Sequence, residues 1–156
     1  MAMHTWFECK IRYEKTIENG MQKKVTEPYL VDALSFTEAE ARIIEEMTPF
    51  ITGEFTVSDI KRANYSELFP SDEESADRWF KCKLIFITLD EKSGAEKKTS
   101  TQVLVQAADL RDAVKKLDEG MKGTMADYQI GMVSETPLMD VYPYSAEPND
   151  KPEFDP

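Results

Sequence analysis

Histidine is almost missing from this chain: a single residue, His4, stands against 30 acidic and 19 basic residues in 156. A thiol or hydroxyl nucleophile needs an adjacent base, and His4 sits near an end that should fray. No Cys–His or Ser–His pair is therefore expected. Cysteine is scarce too. Cys9 and Cys82 stand one to a segment with no second ligand near either, which lacks the spacing of a zinc site, and a chain without an export signal keeps its thiols reduced. The opening "MAMHTW" has neither a basic n-region nor an apolar h-region. No run approaches the ~18 apolar residues of a membrane span. A cytoplasmic location with no membrane partner is the expectation. A glycine-rich phosphate cradle, a G-x-S-x-G elbow and a zinc-protease helix motif are all lacking. No catalytic residue, metal site or cofactor is assigned.

The charge that is present is uneven. The net −11 would argue against a nucleic-acid partner, but residues 70–78 and 144–156 each carry four acids and one base. More than half of the excess lies in these two stretches, so the remaining body is close enough to neutral to present a basic face. "EE" at Glu45 and "DE" at Asp118 read as solvated helix surface.

What the sequence has in quantity is self-similarity. "TWFECK" from Thr5 and "RWFKCK" from Arg78 open two stretches in which landmarks recur 73 or 74 residues apart. Trp6, Phe7, Cys9, Lys10 and Ile11 answer to Trp79, Phe80, Cys82, Lys83 and Leu84. Leu30, Val31 and Ala33 answer to Leu104, Val105 and Ala107, and Ala39, Ile43 and Met47 to Ala113, Leu117 and Met121. "ELFP" from Glu67 and "DVYP" from Asp140 close the two copies. Two such copies imply a pseudo-symmetric domain more than a solenoid.

Each copy reads as ββαβ with a short extension. Phe7, Cys9, Ile11 and Tyr13 alternate onto one side of a first strand, as do Phe80, Cys82, Leu84 and Phe86. Asn19-Gly20 suits the positive dihedrals of a tight hairpin, and "KSG" from Lys92 supplies the second turn. A second strand follows from Lys24 to Leu34 and from Ser100 to Ala107, with Pro28 marking an edge or a bulge. Ser35 with Glu38, and Asp109 with Asp112, cap two helices whose apolar residues recur every four positions. "EFTVSDI" and "DYQIGMV" form third strands, and "SELF" and "MDVY" short fourth segments.

The expected architecture is α+β: an internally duplicated ββαβ unit, its two copies related by a pseudo-twofold, with a mainly antiparallel sheet and two helices on one side. One domain spans 5–143. It is built from repeat 5–70 and repeat 78–143, joined by an acidic connector at 71–77 and followed by a poorly ordered, proline-containing acidic tail at 144–156. The copies should pack together, because a unit of this size alone buries only ~60% of its unfolded surface.

The cysteines share the apolar side of their strands and read as small core hydrophobes. The opposite side of the first strands carries Trp6, Lys10 and Arg12, and Trp79, Lys81 and Lys83. Rings beside cations suit single-stranded nucleic acid, since bases stack while lysine and arginine track phosphates, and Lys23, Lys24, Lys97 and Lys98 could extend that surface. The plain alternative is that the tryptophans seal packing and the lysines keep the sheet soluble, with Ile85 and Ile87 on the same side favouring burial. The tail is similar, in composition only, to the acidic tails of bacterial single-stranded-DNA-binding proteins, but those end in an aromatic residue and here Asp155 and Pro156 follow Phe154.

The paired W-F-x-C-K strands, "YLVDALSFTEAEARI" from Tyr29 and the "ELFP" ending together resemble a small family of uncharacterised bacterial and phage-associated proteins catalogued as a domain of unknown function. The resemblance implies no activity, cofactor or catalytic residue. Its phage context points toward accessory roles in replication or packaging. The expected function is a non-enzymatic binding module, with a protein partner ahead of single-stranded nucleic acid. An enzyme or small-molecule binder using a pocket between the repeats is the competing class. The oligomeric state is not legible.

Overall fold

The computed structural model describes residues 5–143; His4 and the acidic tail at 144–156 lie outside the described residues. The class is α+β, with eight strands and two helices in the order β1 (Thr5–Thr16), β2 (Gln22–Ala33), α1 (Phe36–Met47), β3 (Phe55–Ala63), β4 (Glu67–Phe69), β5 (Arg78–Leu89), β6 (Glu96–Ala107), α2 (Leu110–Gly120), β7 (Asp127–Glu135) and β8 (Asp140–Tyr142).

The expected sheet with both helices on one side gives way to two four-stranded sheets, ordered β3-β1-β2-β8 and β4-β6-β5-β7. Among the described residues they belong to two compact units, 5–64 with 138–143, and 65–137. These limits do not follow the repeats. The last strand of each repeat pairs in the other unit: β8 runs parallel to β2 in unit 1, and β4 runs parallel to β6 in unit 2. All other pairings are antiparallel.

Alternation decides the cores. Phe7, Cys9 and Ile11 of β1 are fully buried with Val31, Ala33, Ala39, Ile43 and Met47. Phe80, Cys82, Leu84, Val103, Val105, Ala107, Ala113, Leu117 and Met121 form the second core. Each helix begins at the expected cap. Ser35 Oγ accepts from the Glu38 amide at 3.1 Å while Glu38 Oε1 accepts from the Leu34 amide at 2.6 Å. Asp109 and Asp112 repeat the exchange, at 2.8 Å and with the Ala108 amide at 2.9 Å. Each cap side chain satisfies a donor that the first helical turn leaves open, and the acid three residues on holds the amide just before the cap.

The first hairpin is looser than Asn19-Gly20 implies. Its loop runs from Ile17 to Met21, and Gly20 (φ 84°) takes the positive dihedral with no non-glycine residue beside it. Pro28 stands at an edge, as expected of a residue without an amide hydrogen. The Met139 amide donates to the Pro28 carbonyl at 2.9 Å, and a strand residue's nitrogen points the same way as its carbonyl. The missing donor therefore faces away from β1. A bulge interrupts each third strand at one level. Ser58 is the extra residue between the partners of Lys10 and Ile11, and Gly131 between those of Lys83 and Leu84.

Candidate functional site

The residues singled out on the outer side of the first strands do share a face within each unit, but the register gives the two faces different chemistry. In unit 1 Trp6 stands between Asp32 and Ala63, Lys10 between Pro28 and Asp59, and Arg12 between Thr26 and Thr56. Glu8 lies opposite Lys61, and Glu14 opposite Lys24. Directly opposed side chains lie ~4.5–5.5 Å apart at Cβ, close enough for unlike charges to offset one another. This face is charge-balanced. In unit 2 the rows read Leu104–Lys81–Ser134, Gln102–Lys83–Met132 and Ser100–Ile85–Gln129, and none holds a carboxylate. Lys81 and Lys83 are half-buried. Trp79 is only 5% exposed, so its ring is packed instead of presented, while Trp6 is half-buried.

Lys23, Lys24, Lys97 and Lys98 have another structural role. β8 covers β2 only from Tyr29 to Val31, and β4 covers β6 only from Val103 to Val105, leaving the hairpin ends of β2 and β6 as open edges. Lysines there discourage further strand pairing.

Both cysteines are free and buried. Burial pushes the Cys9 thiol up to about 12, helped by the charges of Glu8, Asp59 and Glu40, and burial alone pushes Cys82 up to about 11. Neither offers a thiolate near neutral pH. Among the described residues no three His, Cys, Asp or Glu side chains converge as a metal site.

The alternation pattern missed a polar cluster at the outer end of the unit 1 core. Glu27 Oε1 accepts from the Tyr13 hydroxyl at 2.9 Å and the Tyr29 hydroxyl at 3.3 Å, and Lys15 Nζ lies 3.6 Å from Oε2. Tyr142 of β8 stacks on Tyr29, with centroids 6.2 Å apart. Burial first, then the Glu27 charge, raises Tyr29, while burial and Asp140 push Tyr142 up to about 12. At the corresponding places unit 2 has Phe86, Thr88, Thr101, Val103 and Phe69. The only sequence signal was Glu27 lying between Val25 and Tyr29 on the inward side.

The two seats for the short strands are alike. Tyr142 packs against the unit 1 core and Phe69 against that of unit 2. Beyond each aromatic comes a proline, where the helix supplies a cation. Arg42 donates to the Pro143 carbonyl at 3.0 Å and to the Asp32 carbonyl. Lys116 donates to Ser71 Oγ at 3.1 Å and pairs with Glu73 at 2.8 Å and Asp112 at 3.0 Å. The connector is thus tied down at Ser71, whose amide also donates to Gln106 Oε1 at 2.9 Å, and Ala76 within it is buried.

The helices bury one side and leave apolar groups on another: Phe36 and Ile44 are 44% and 41% exposed on α1, and Leu110 is 53% exposed on α2. No helix among the described residues is long and apolar enough to cross a membrane.

A family model described as Domain of unknown function (DUF4494) matches residues 5–144, and the chain belongs to that family. No curated protein matches. No solved structure matches either.

Proposed function

Within that family we propose that this chain is a non-enzymatic binding module whose partner is a protein. The observation that carries the reading is the outward side of the helices. Phe36 and Ile44 lie eight residues apart on α1 with Glu40 between them, and Leu110 lies four residues before Val114 on α2, beside Arg111, Lys115 and Asp118. Apolar side chains inside a charged rim are the composition of a protein-recognition patch. The raised thiols of Cys9 and Cys82 argue against either one serving as a thiolate nucleophile. Affinity capture of the intact protein from its own host, with and without nuclease, tests the reading. A protein retained after nuclease and lost on Ile44→Glu or Leu110→Glu is expected; capture of nucleic acid alone, or capture indifferent to both substitutions, would overturn it.

A second reading, single-stranded nucleic acid, is favoured by one feature: the outer face of unit 2 carries Lys81 and Lys83 with no carboxylate in its three central rows. Phosphate contacts, not stacking on Trp79, would supply the affinity. Fluorescence anisotropy with labelled single strands decides it: charge reversal at Lys81 and Lys83 should weaken binding and deletion of 144–156 should tighten it, and no binding by either form at low salt removes the reading. The bacterial and phage setting belongs to the same proposal, with an accessory part in replication or packaging as the cellular task.

A further inference from the structure

The two edges of the unit 1 sheet are finished differently. At the β2 edge β8 is in place, and Leu30 and Val31 beside it are fully buried. β3 forms the other edge, and no strand among the described residues pairs with its far side. Phe55, Val57 and Ile60 of β3 face inward, opposite Tyr13, Ile11 and Cys9, yet all three are only half-buried. The flank that α1 turns toward β3 carries Phe36, Glu40 and Ile44, one every four positions, with Phe36 and Ile44 exposed. An apolar trough therefore runs between this flank and an edge strand, the kind of strand that presents unpaired N–H and C=O groups.

Arg62 stands at one end of the trough. Its guanidinium lies 5.3 Å from the Phe36 ring centroid and 5.7 Å from that of Phe7, and the two rings meet edge to face at 4.9 Å. The residue is exposed, and among the described residues it pairs with no carboxylate. Stacking on rings fixes the plane of a guanidinium and leaves its N–H fork free, so the donors are held ready for a carboxylate. Glu40, midway along the flank, admits an acid only at the Arg62 end.

We propose that the β3 edge takes an extended segment of a protein partner, added antiparallel to residues 59–63, with an acidic residue opposite Arg62 and an apolar residue two positions later opposite Ile60. This rests on α1 being a protein-recognition patch and names what that patch accepts. Antiparallel addition continues the β1–β3 ladder, and period two sends both side chains into the trough. Main-chain bonds supply affinity in such strand addition, and the alternate side chains supply specificity. The bulge at Ser58 ends the regular edge on its other side. An inward-facing charge beside an edge turns away purely apolar strands, so Arg62 selects as well as binds. The matching place on β7, opposite Phe80, holds Glu135, which pairs with Arg78 at 3.7 Å. The selection for an acid thus belongs to unit 1.

The test is fluorescence anisotropy of the full chain with a labelled peptide that alternates threonine with glutamate, isoleucine and valine, in that order. Saturable binding is expected. Exchanging the glutamate for glutamine should weaken binding about ten-fold in wild type and leave it unchanged in Arg62→Gln, since the charge-assisted bond is lost only once. N-methylation of the peptide amides that face β3 should abolish binding, and amide exchange at residues 59–63 should slow when the unmodified peptide is added. The comparison of peptides uses the wild-type chain and stands whether or not Arg62→Gln folds. No saturable binding by wild type up to about 1 mM peptide, equal affinity for the two peptides, or indifference to N-methylation would overturn the proposal. The helix patch is tested apart from it: a host partner lost on Ile44→Glu but retained by Arg62→Gln would leave the patch standing and remove the edge.

Discussion

Substituting Gly120 by alanine tests whether β4 sits against α2. Gly120 is the last residue of α2, and a Cβ built there would meet Phe69 Cε1 at 2.8 Å, Cδ1 at 2.9 Å and Cζ at 3.1 Å. Its backbone is not among the positive-φ glycines, so alanine meets no conformational strain, and the collision with the ring is the whole cost. Overpacking of this kind costs about 1–3 kcal/mol. Alanine's better helix propensity returns at most about 1 kcal/mol. With that return taken in full, Gly120→Ala should destabilise the protein by up to about 2 kcal/mol, read as a lower urea midpoint with an unchanged slope. In a Phe69→Leu background the ring is gone and the same substitution should be neutral or stabilising, giving a coupling energy of about 1–3 kcal/mol. Equal effects in both backgrounds, with no coupling between the two positions, would refute the seating of Phe69 against the end of this helix.

Arg42→Ala removes a charged donor from the Asp32 and Pro143 carbonyls and should cost about 1–2 kcal/mol in urea unfolding, with amide exchange rising first at Val141 and Tyr142; unchanged exchange there would count against the cation as a clamp on β8. Folded Cys9 and Cys82 titrate at about 12 and about 11 instead of 9.0. A raised acid group contributes fully below its unfolded value and loses that contribution as the pH rises through the folded one. Stability should accordingly fall from about pH 9 upward, by at most about 1.4 kcal/mol per pH unit per thiol; a Cys9→Ala/Cys82→Ala protein with the same alkaline profile would contradict this. Ile44→Glu and Leu110→Glu should change stability by no more than about 0.5 kcal/mol because both sites are exposed, which circular dichroism during thermal melting checks.

The hairpins, helices and caps were legible because each rests on neighbours in the chain. Period two gave Phe7, Cys9 and Ile11 one side of β1, period 3.6 gave Ala39, Ile43 and Met47 one face of α1, and Ser35 and Asp109 sit at the caps their sequences advertise. The destinations of "SELF" and "MDVY" were not legible. A three-residue parallel strand has no turn to fix its partner, and only register shows that it joins the sheet built by the other repeat. Alternation placed Trp6 and Trp79 on the outer face but carried no measure of exposure, and Trp79 proves buried. It also hid Glu27, whose partners Tyr13 and Lys15 lie across the hairpin on β1, a relation that exists only once the strands are paired.

The exchange of short strands is tested most directly by nuclear Overhauser contacts in uniformly labelled protein. Side-chain contacts of Val141 with Leu30, and of Leu68 with Leu104, follow from the paired registers of β8 with β2 and β4 with β6. Contacts of Leu68 with Leu30 and of Val141 with Leu104 would mean that each repeat closes on its own strand, and would contradict the fold described.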